Sequence, residues 1–181
     1  MTIFTEWKNL FDNVKPEIYA NPKLRQKIAE KIKTGKISIQ DDSLDHFCVC
    51  FLPYNPKTKE VFLVFYPNLG NIWIAPGGHV DNREGPKTTV EREVKEELGI
   101  NIIAPKKPFF IGFTQVKFCN NPKRHCQLHY DFWYLIKSDG SNFRLTTDEF
   151  GEHKWLTIPK ALDLVTDPTT HQALEKLSMI Y

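Results

Sequence analysis

Residues 78–100 read GHVDNREGPKTTVEREVKEELGI, and this stretch decides the fold. It holds five glutamates, of which Glu93, Glu96 and Glu97 lie at helical spacing. On a helix these three side chains point to one side, at about 300°, 240° and 340° around the axis from Val90. Like charges at that spacing repel one another, whereas a hard cation such as Mg²⁺ or Mn²⁺ binds carboxylate oxygens and commonly serves phosphate substrates. The cluster therefore predicts a divalent-metal site.

The residues that flank the cluster predict a loop followed by a helix. The Pro-Gly-Gly run at 76–78 predicts an end to regular structure, because paired glycines allow positive φ and close approach of a ligand. Gly85 predicts an N-cap with Pro86 at the first helical position. Gly99 predicts the end of this helix.

The predicted helix has an apolar stripe at every fourth residue, formed by Val90, Val94 and Leu98. Around the helix axis, Glu97 lies about 60° from the centre of this stripe, Glu93 about 100° and Glu96 about 160°. Glu97 is therefore predicted to be the most buried of the three carboxylates and Glu96 the most exposed.

A surface helix with a solvated charged face is the alternative to a metal site. It does not explain the glycine pair, the isolated Glu84 or the Arg92-Glu93 start. Gly78, five residues, Glu84, seven residues and then REVKEELGI at 92–100 match the Nudix box at every defined position. The chain thus resembles the Nudix family through 23 of its 181 residues.

The resemblance implies hydrolysis of a nucleoside diphosphate linked to another moiety, with a divalent metal as cofactor. Mg²⁺ or Mn²⁺ would lower the pKa of a bound water and neutralise charge on the phosphates. It also implies that Glu93, Glu96 and Glu97 coordinate the metal. Glu93 is in addition the candidate general base. Glu84 is implied either as a supporting metal ligand or as a group that contacts the ligands without binding the metal. Arg92, which can pair with Glu96 or reach back to Glu84, would orient the carboxylates.

Residues beside and beyond the box are further candidates. By the resemblance, the backbone of Gly77 and Gly78 holds the loop and approaches a phosphate. His79 follows directly and is placed to reach a phosphate as well. Family members often recruit one more acid from outside the box, and here the candidates for that catalytic role are Glu149 and Glu152. A merely solvated side chain is the alternative for each.

The LHYDFWY stretch predicts a strand with two different faces. Alternation places His129, Asp131 and Trp133 on one face and three aromatic residues on the other. His129 and Asp131 beside an aromatic ring could bind the base, ribose or phosphate of a substrate. A His–Asp hydrogen bond on a partly exposed strand is the alternative. Tyr66 and Trp73 could stack on a base, although core packing is favoured for both.

Composition fits one domain with a terminal extension and indicates neither a membrane nor a nucleic-acid partner. Hydrophobic residues make up 41% of the chain and charged residues 25%, and the net charge is +2, whereas nucleic-acid binding calls for a concentrated basic face. The apolar runs are too short to cross a membrane, and the N-terminus lacks the basic start and apolar stretch of a signal peptide. A cytoplasmic location is the expected default.

The four cysteines form no CxxC pair. Cys126 lies close in sequence to His125 and His129, which could suggest zinc, but the spacing fits no standard zinc site. Reduced structural thiols are therefore the favoured interpretation of Cys48, Cys50, Cys119 and Cys126.

The remaining patterns predict a helical N-terminal extension at 1–45 and a Nudix domain at 46–181. Residues 3–34 predict two helices that could cap the domain, mediate homodimerisation or shape the substrate pocket, with simple packing favoured. The predicted strands are 46–53, 60–66, 72–75, 108–118, 128–137 and 151–156, and the closing helices are 159–166 and 169–179. Together with the resemblance, this order implies an α/β/α sandwich with a mixed central sheet.

The expected partner is therefore a small nucleoside diphosphate derivative of nucleotide or nucleotide-sugar type. Two other classes stay open: a non-catalytic Nudix-fold module that binds a nucleotide, and an isopentenyl diphosphate isomerase of the related fold. The intact glutamate set argues against binding alone. No isomerase cysteine motif surrounds any of the four cysteines.

Overall fold

The computed structural model describes residues 3–42, 44–116, 126–145 and 150–181. Within these ranges the helices are α1 (Ile3–Asn13), α2 (Pro22–Thr34), α3 (Pro86–Leu98), α4 (Ile158–Leu164) and α5 (Pro168–Ser178). The strands are β1 (Asp45–Asn55), β2 (Glu60–Tyr66), β3 (Ile72–Ile74), β4 (Gly77–His79), β5 (Phe110–Gln115), β6 (Leu128–Lys137) and β7 (His153–Thr157). Every predicted helix and strand is present, and the bounds differ by at most a few residues within the described ranges. Residues 117 and 118, the predicted end of the strand at 108–118, lie outside them.

The seven strands of the described residues form one mixed sheet. Along its main path the order is β3-β2-β1-β6-β5, while β4 pairs with β1 and β7 pairs with β2. The pairing of β1 with β6 is parallel, and the other pairings are antiparallel. A parallel pair needs a long crossover connection, and here that connection contains α3. The glutamate helix is therefore packed across the central strands.

The short strand β4 was not predicted, and the expectation that 76–78 ends regular structure is wrong for this segment. Gly77–His79 pairs antiparallel with β1, with Gly77 opposite Cys50 and Gly78 opposite Val49. A Cβ atom on Gly77 would overlap the carbonyl oxygen of Val49. The glycine thus allows this strand to approach β1 closely, which was not anticipated from the sequence.

The two faces of the sheet carry separate layers of helices. On one face, β1 residues Phe47, Val49 and Phe51 share a core with the buried stripe of α3 and with α1 and α2. On the other face, Leu52 and Trp133 share a second core with α4 and α5. The predicted α/β/α sandwich is therefore confirmed, and burial of apolar surface on both faces is the main force that holds the helices to the sheet.

The N-terminal helices pack directly on the sheet. The Trp7 ring, 1% exposed, contacts the rings of Phe47 and Phe132 at centroid distances of 5.1 and 4.9 Å. Its Nε1 donates a hydrogen bond of 2.9 Å to the carbonyl oxygen of Glu84. The packing role favoured for this segment agrees with these contacts, while the division into an extension at 1–45 and a domain at 46–181 stays a prediction.

Among the helices that the structure describes, none has the length and apolar character needed to cross a membrane.

Candidate active site

Arg92 is the centre of a network on the first face of the sheet. Its Nε and Nη2 donate to the two oxygens of Glu84 at 2.7 and 2.9 Å. Its Nη1 donates to Glu93 Oε1 at 2.7 Å and to Glu96 Oε2 at 2.8 Å, and Nη2 also donates to the backbone oxygen of His79 at 2.8 Å. The sequence left open whether Arg92 pairs with Glu96 or with Glu84. The structure shows both pairings at once.

The three helix glutamates differ in exposure. Glu93 and Glu97 are buried, with 5% and 8% of their surface exposed, whereas the Glu96 side chain is 55% exposed. Glu96 is thus the outermost carboxylate, as predicted. The prediction that Glu97 is the most buried is wrong, because Glu93 is buried at least as deeply. The prediction compared burial only by the angle of each residue around the helix axis. It did not include β4, which covers the Glu93 carboxylate.

Gly78 lies directly over the Glu93 carboxylate. A Cβ atom built on Gly78 would overlap the carboxylate oxygens of Glu93, so only glycine leaves this space. Burial raises the pKa of Glu93 to about 7, although the neighbouring Arg92 guanidinium acts in the opposite direction. Burial by itself would lower the pKa of Arg92, but the hydrogen bonds and negative charge of Glu84 and Glu93 raise it above its usual value.

Tyr66 contacts the glutamate cluster, and the sequence did not indicate this contact. Its hydroxyl lies 3.4 Å from Glu97 Oε2, and the residue is buried. The Tyr66 ring also packs edge-on against Phe150, with a centroid distance of 4.8 Å. Base stacking was one interpretation of Tyr66. Its observed partners are a carboxylate and a core ring, in agreement with the core packing that was favoured.

The donor set fits a hard divalent cation. Three carboxylates, those of Glu84, Glu93 and Glu96, accept hydrogen bonds from the single Arg92 guanidinium, and Glu97 follows Glu93 by about one helical turn. Glu93 and Glu97 are buried, and burial of a carboxylate is costly unless its charge is balanced. Mg²⁺ and Mn²⁺ prefer such oxygen ligands. Both oxygens of Glu84 already accept hydrogen bonds from Arg92, which suits a supporting role for this residue.

The side chains of the predicted site residues His79, His129 and Asp131 lie apart from this cluster. His79 and His129 come together on the opposite face of the sheet, with ring centroids 5.0 Å apart. Asp131 is 2% exposed and accepts a 2.6 Å hydrogen bond from Thr114 Oγ1. The expected faces of β6 are confirmed, since its three aromatic residues Tyr130, Phe132 and Tyr134 line the first core. Within the described residues, His129 and Asp131 do not form the hydrogen bond that was the alternative interpretation.

The two candidate acids outside the box are Glu152, which the structure describes, and Glu149, which it does not. The Glu152 side chain is 68% exposed, and its Oε2 lies 3.8 Å from Lys154 Nζ. Its backbone oxygen accepts a hydrogen bond from Phe65, the neighbour of Tyr66. Among the described residues, no contact joins Glu152 to the glutamate cluster, and Glu152 stays a candidate on sequence grounds. Glu149 lies outside the described residues.

Comparison with known proteins agrees with the motif. The sequence model of the NUDIX domain matches residues 45–177. Nudix hydrolase 26, chloroplastic, from Arabidopsis thaliana is 24% identical over 125 residues, which represent 59% of this chain and 56% of that relative. The chain thus spans little more than half the length of this curated relative.

Solved structures share the fold at low sequence identity. The E. coli dihydroneopterin triphosphate pyrophosphohydrolase gives a TM-score of 0.55 at 19% identity, covering 75% of this chain and 96% of that one. The E. coli ORF135 protein gives 0.60 at 16% identity, with 76% and 91% covered, and a C. elegans Ap4A hydrolase gives 0.53 at 20% identity, with 74% and 96% covered. With a NUDIX domain match over most of its length and a complete box around Arg92, the chain belongs to the Nudix family.

Proposed function

We propose that this protein is a metal-dependent pyrophosphohydrolase that cleaves a nucleoside diphosphate linked to another moiety. The observation that carries the proposal is the carboxylate cluster around Arg92, in which Glu93 and Glu97 are buried beside the exposed Glu96. A surface helix with only a solvated charged face would not bury two of its glutamates. Such a cluster suits Mg²⁺ or Mn²⁺ bound to phosphate oxygens.

Each residue of the cluster has a distinct role in this proposal. Glu93, Glu96 and Glu97 hold the metal, and Glu84 supports it through Arg92. Arg92 fixes the orientation of three carboxylates through its planar fork of N–H donors. The metal, when bound, supplies charge neutralisation on the phosphates and a water of lowered pKa.

Glu93 is the residue proposed to accept the proton of the attacking water. Its carboxylate is buried and held from one side by Arg92 Nη1, and a group whose pKa lies near the working pH suits proton transfer. Burial raises the pKa of Glu93 to about 7, which agrees with this role. Glu152, whose side chain is exposed, is the second candidate for this role.

The substrate is proposed only at the level of its class, a nucleotide or nucleotide sugar. Two structural neighbours are named as a dihydroneopterin triphosphate pyrophosphohydrolase and an Ap4A hydrolase. These names agree in phosphate chemistry and differ in the organic group. A substrate screen must therefore vary the organic group widely.

The direct test is a screen of the full chain with Mg²⁺ or Mn²⁺ across nucleoside triphosphates, nucleotide sugars, dinucleoside polyphosphates and capped RNA. We expect product release that requires the metal, and oxygen-18 water on the best substrate identifies the phosphorus that is attacked. Saturable binding of these compounds without any turnover would contradict the proposal and favour the non-catalytic binding module.

A matched pair of variants links turnover to the cluster. Glu97→Gln removes one charge from a buried member, and we expect a loss of about 10²-fold or more in metal-dependent kcat with the fold intact. Glu91→Gln removes the same charge from the same helix but retains an acceptor for the backbone N–H of Ala104, which Glu91 Oε1 accepts at 3.0 Å. This control should keep near-normal activity. Equal activity of the two variants would refute the assignment.

A homodimer and a cytoplasmic location also remain proposals. Sedimentation of the purified chain measures the first, and fractionation of cells that produce it measures the second.

A further inference from the structure

Three histidines and one cysteine meet on the face of the sheet opposite α3. His46 lies near the start of β1, His79 ends β4, His129 lies in β6, and Cys126 comes two residues before β6. One nitrogen or sulfur atom from each residue lies within 4.8 Å of those of the other three. None of these residues belongs to the glutamate cluster.

Strand pairing explains how these distant residues come together. His46 is directly opposite His129 in the parallel pair of β1 and β6, and His79 is opposite Cys48 in the pair of β1 and β4. The centroid of the His46 ring is 4.9 Å from the centroid of the His79 ring and 4.9 Å from that of the His129 ring. The three rings therefore face one shared volume.

Cys126 completes the group. Its Sγ lies 3.8 Å from His46 Nε2 and 3.8 Å from His79 Nε2, although these residues are 80 and 47 positions away in sequence. In a tetrahedral zinc site, bond lengths of about 2.3 Å to sulfur and about 2.0 Å to nitrogen place the two ligand atoms roughly 3.6 Å apart. The observed separations are close to that value.

The environment of the rings presents unprotonated nitrogens to the shared volume. His46 Nδ1 is 2.9 Å from the backbone oxygen of Asp42, so it carries the proton and leaves the Nε2 lone pair facing Cys126. This arrangement, with the second ring nitrogen donating to a carbonyl, is typical of histidines that bind metal.

His129 shows an unmet requirement for a partner. Its Nε2 is buried and accepts or donates no hydrogen bond within the described part of the chain. A buried polar atom without a partner costs about 1–3 kcal/mol. A metal ion at the centre of the group would supply the missing partner.

We propose that His46, His79, Cys126 and His129 form a site for one zinc-class divalent ion. Imidazole nitrogen and thiolate sulfur are ligand atoms that Zn²⁺ binds in tetrahedral sites, and they are poor ligands for Mg²⁺. With four protein ligands the site is closed, which is typical of a structural metal. The ion would hold β1, β4 and the start of β6 together, and it would fix His79, whose backbone oxygen accepts a hydrogen bond from Arg92.

A second group, Cys48, His129 and Asp131, shares one ligand with this site but fits a metal less well. The carboxylate of Asp131 already accepts the hydrogen bond of Thr114.

The experiment is a titration of the chelator-treated full-length protein with Co²⁺, in a buffer that contains excess Mg²⁺ to occupy the carboxylate site. Binding of Co²⁺ is followed by its absorbance. We expect one equivalent of Co²⁺ to give a thiolate charge-transfer band and the intense visible bands of tetrahedral cobalt, both removed by added Zn²⁺. Cys126→Ser should abolish the charge-transfer band. Cys48→Ser and Cys50→Ser, both on the same strand as His46, should retain it, as should the histidine control His171→Gln.

Two results would overturn the proposal. One is persistence of the charge-transfer band in a folded Cys126→Ser variant, or its loss in either cysteine control. The other needs no variant: equilibrium dialysis of the wild-type chain against Zn²⁺ should retain one ion per chain and raise the melting temperature by roughly 5–10 °C. Wild-type protein that retains no zinc, or whose melting temperature does not change, would show that the four residues form only a packed, hydrogen-bonded group.

These readouts are independent of hydrolysis. A failed zinc titration would therefore not count against the proposed pyrophosphohydrolase activity. Absence of hydrolysis would likewise not count against the proposed zinc site.

Discussion

Two polar clusters lie on opposite faces of the same sheet, and adjacent residues of β4 reach toward each. Gly78 faces the carboxylate of Glu93 beneath α3, whereas the His79 ring faces His46 and His129 on the other side. The first cluster consists of charged oxygen donors held by Arg92. The second consists of nitrogen and sulfur donors.

This difference separates the chemistry that each cluster can perform. Oxygen ligands select hard cations such as Mg²⁺, and nitrogen and sulfur ligands select zinc-class ions. One short strand can therefore contribute to two sites that do not compete for the same metal. The glutamate cluster keeps an exposed carboxylate, Glu96, available to a ligand, while the histidine group is more enclosed.

Gly78→Ala should have the largest effect and should act on one cluster only. The added methyl group overlaps the Glu93 carboxylate, and displacement of a catalytic group by about 1 Å can reduce turnover by about 10²-fold. We expect that loss in kcat with an unchanged Co²⁺ spectrum of the histidine group.

Gly77→Ala is the matched control for this variant. Its methyl group would overlap the backbone of β1 at Val49, so the main result should be a lower melting temperature. A Gly78→Ala enzyme with normal kcat would contradict the placement of Glu93 beneath β4.

Arg92→Lys tests whether the planar fork, and not only the charge, organises the glutamates. A lysine keeps the positive charge but cannot donate to Glu84, Glu93 and Glu96 together. Loss of such an orienting group typically costs about 10- to 100-fold in metal affinity or activity. The measurement is the Mg²⁺ concentration that gives half-maximal activity. If that concentration is unchanged, charge alone accounts for the role of Arg92.

Thr114→Val should affect stability and leave turnover unchanged. The variant removes the hydrogen bond to Asp131, a residue on the same sheet face as the histidine group, and leaves its carboxyl group buried. We expect the free energy of unfolding to fall by about 1–3 kcal/mol, as measured by urea denaturation. Thr114→Ser retains the hydroxyl group and should restore most of the stability. A large fall in kcat would show that this face takes part in the reaction.

Tyr66→Phe should have the smallest effect. The hydroxyl contact with Glu97 is long, at 3.4 Å, and such a hydrogen bond is weak. We expect kcat to change by about twofold or less, because the ring and its packing on Phe150 remain. A tenfold loss in steady-state assays would instead assign Tyr66 a direct role in holding Glu97.

The glutamate cluster could be predicted because its members lie close together in sequence. Helical periodicity placed Glu93, Glu96 and Glu97 on one side of α3, and the glycines at 85 and 99 marked its ends, as observed. The buried depth of Glu93 could not be predicted in this way. It depends on β4, a three-residue strand that glycine allows to lie against β1.

The histidine group could not be predicted, because strand register assembles it. His46 and His129 are opposed only through a parallel pairing of two strands that are far apart in sequence, and local spacing carries no information about that register. The expectation that Cys126 is a structural thiol rested on its neighbours in sequence. Two of its actual neighbours, His46 and His79, come from other strands.

The hydrogen bond from Trp7 to the backbone of Glu84 has a consequence for truncation. Although the NUDIX domain match begins at residue 45, a chain shortened to that point would lose a buried indole from beneath the loop that carries Glu84. The cut would also expose the apolar side chains that α1 and α2 cover. We therefore expect a shortened chain to aggregate and to respond poorly to metal, so that the start of the sequence match would not serve as a point at which to divide this protein.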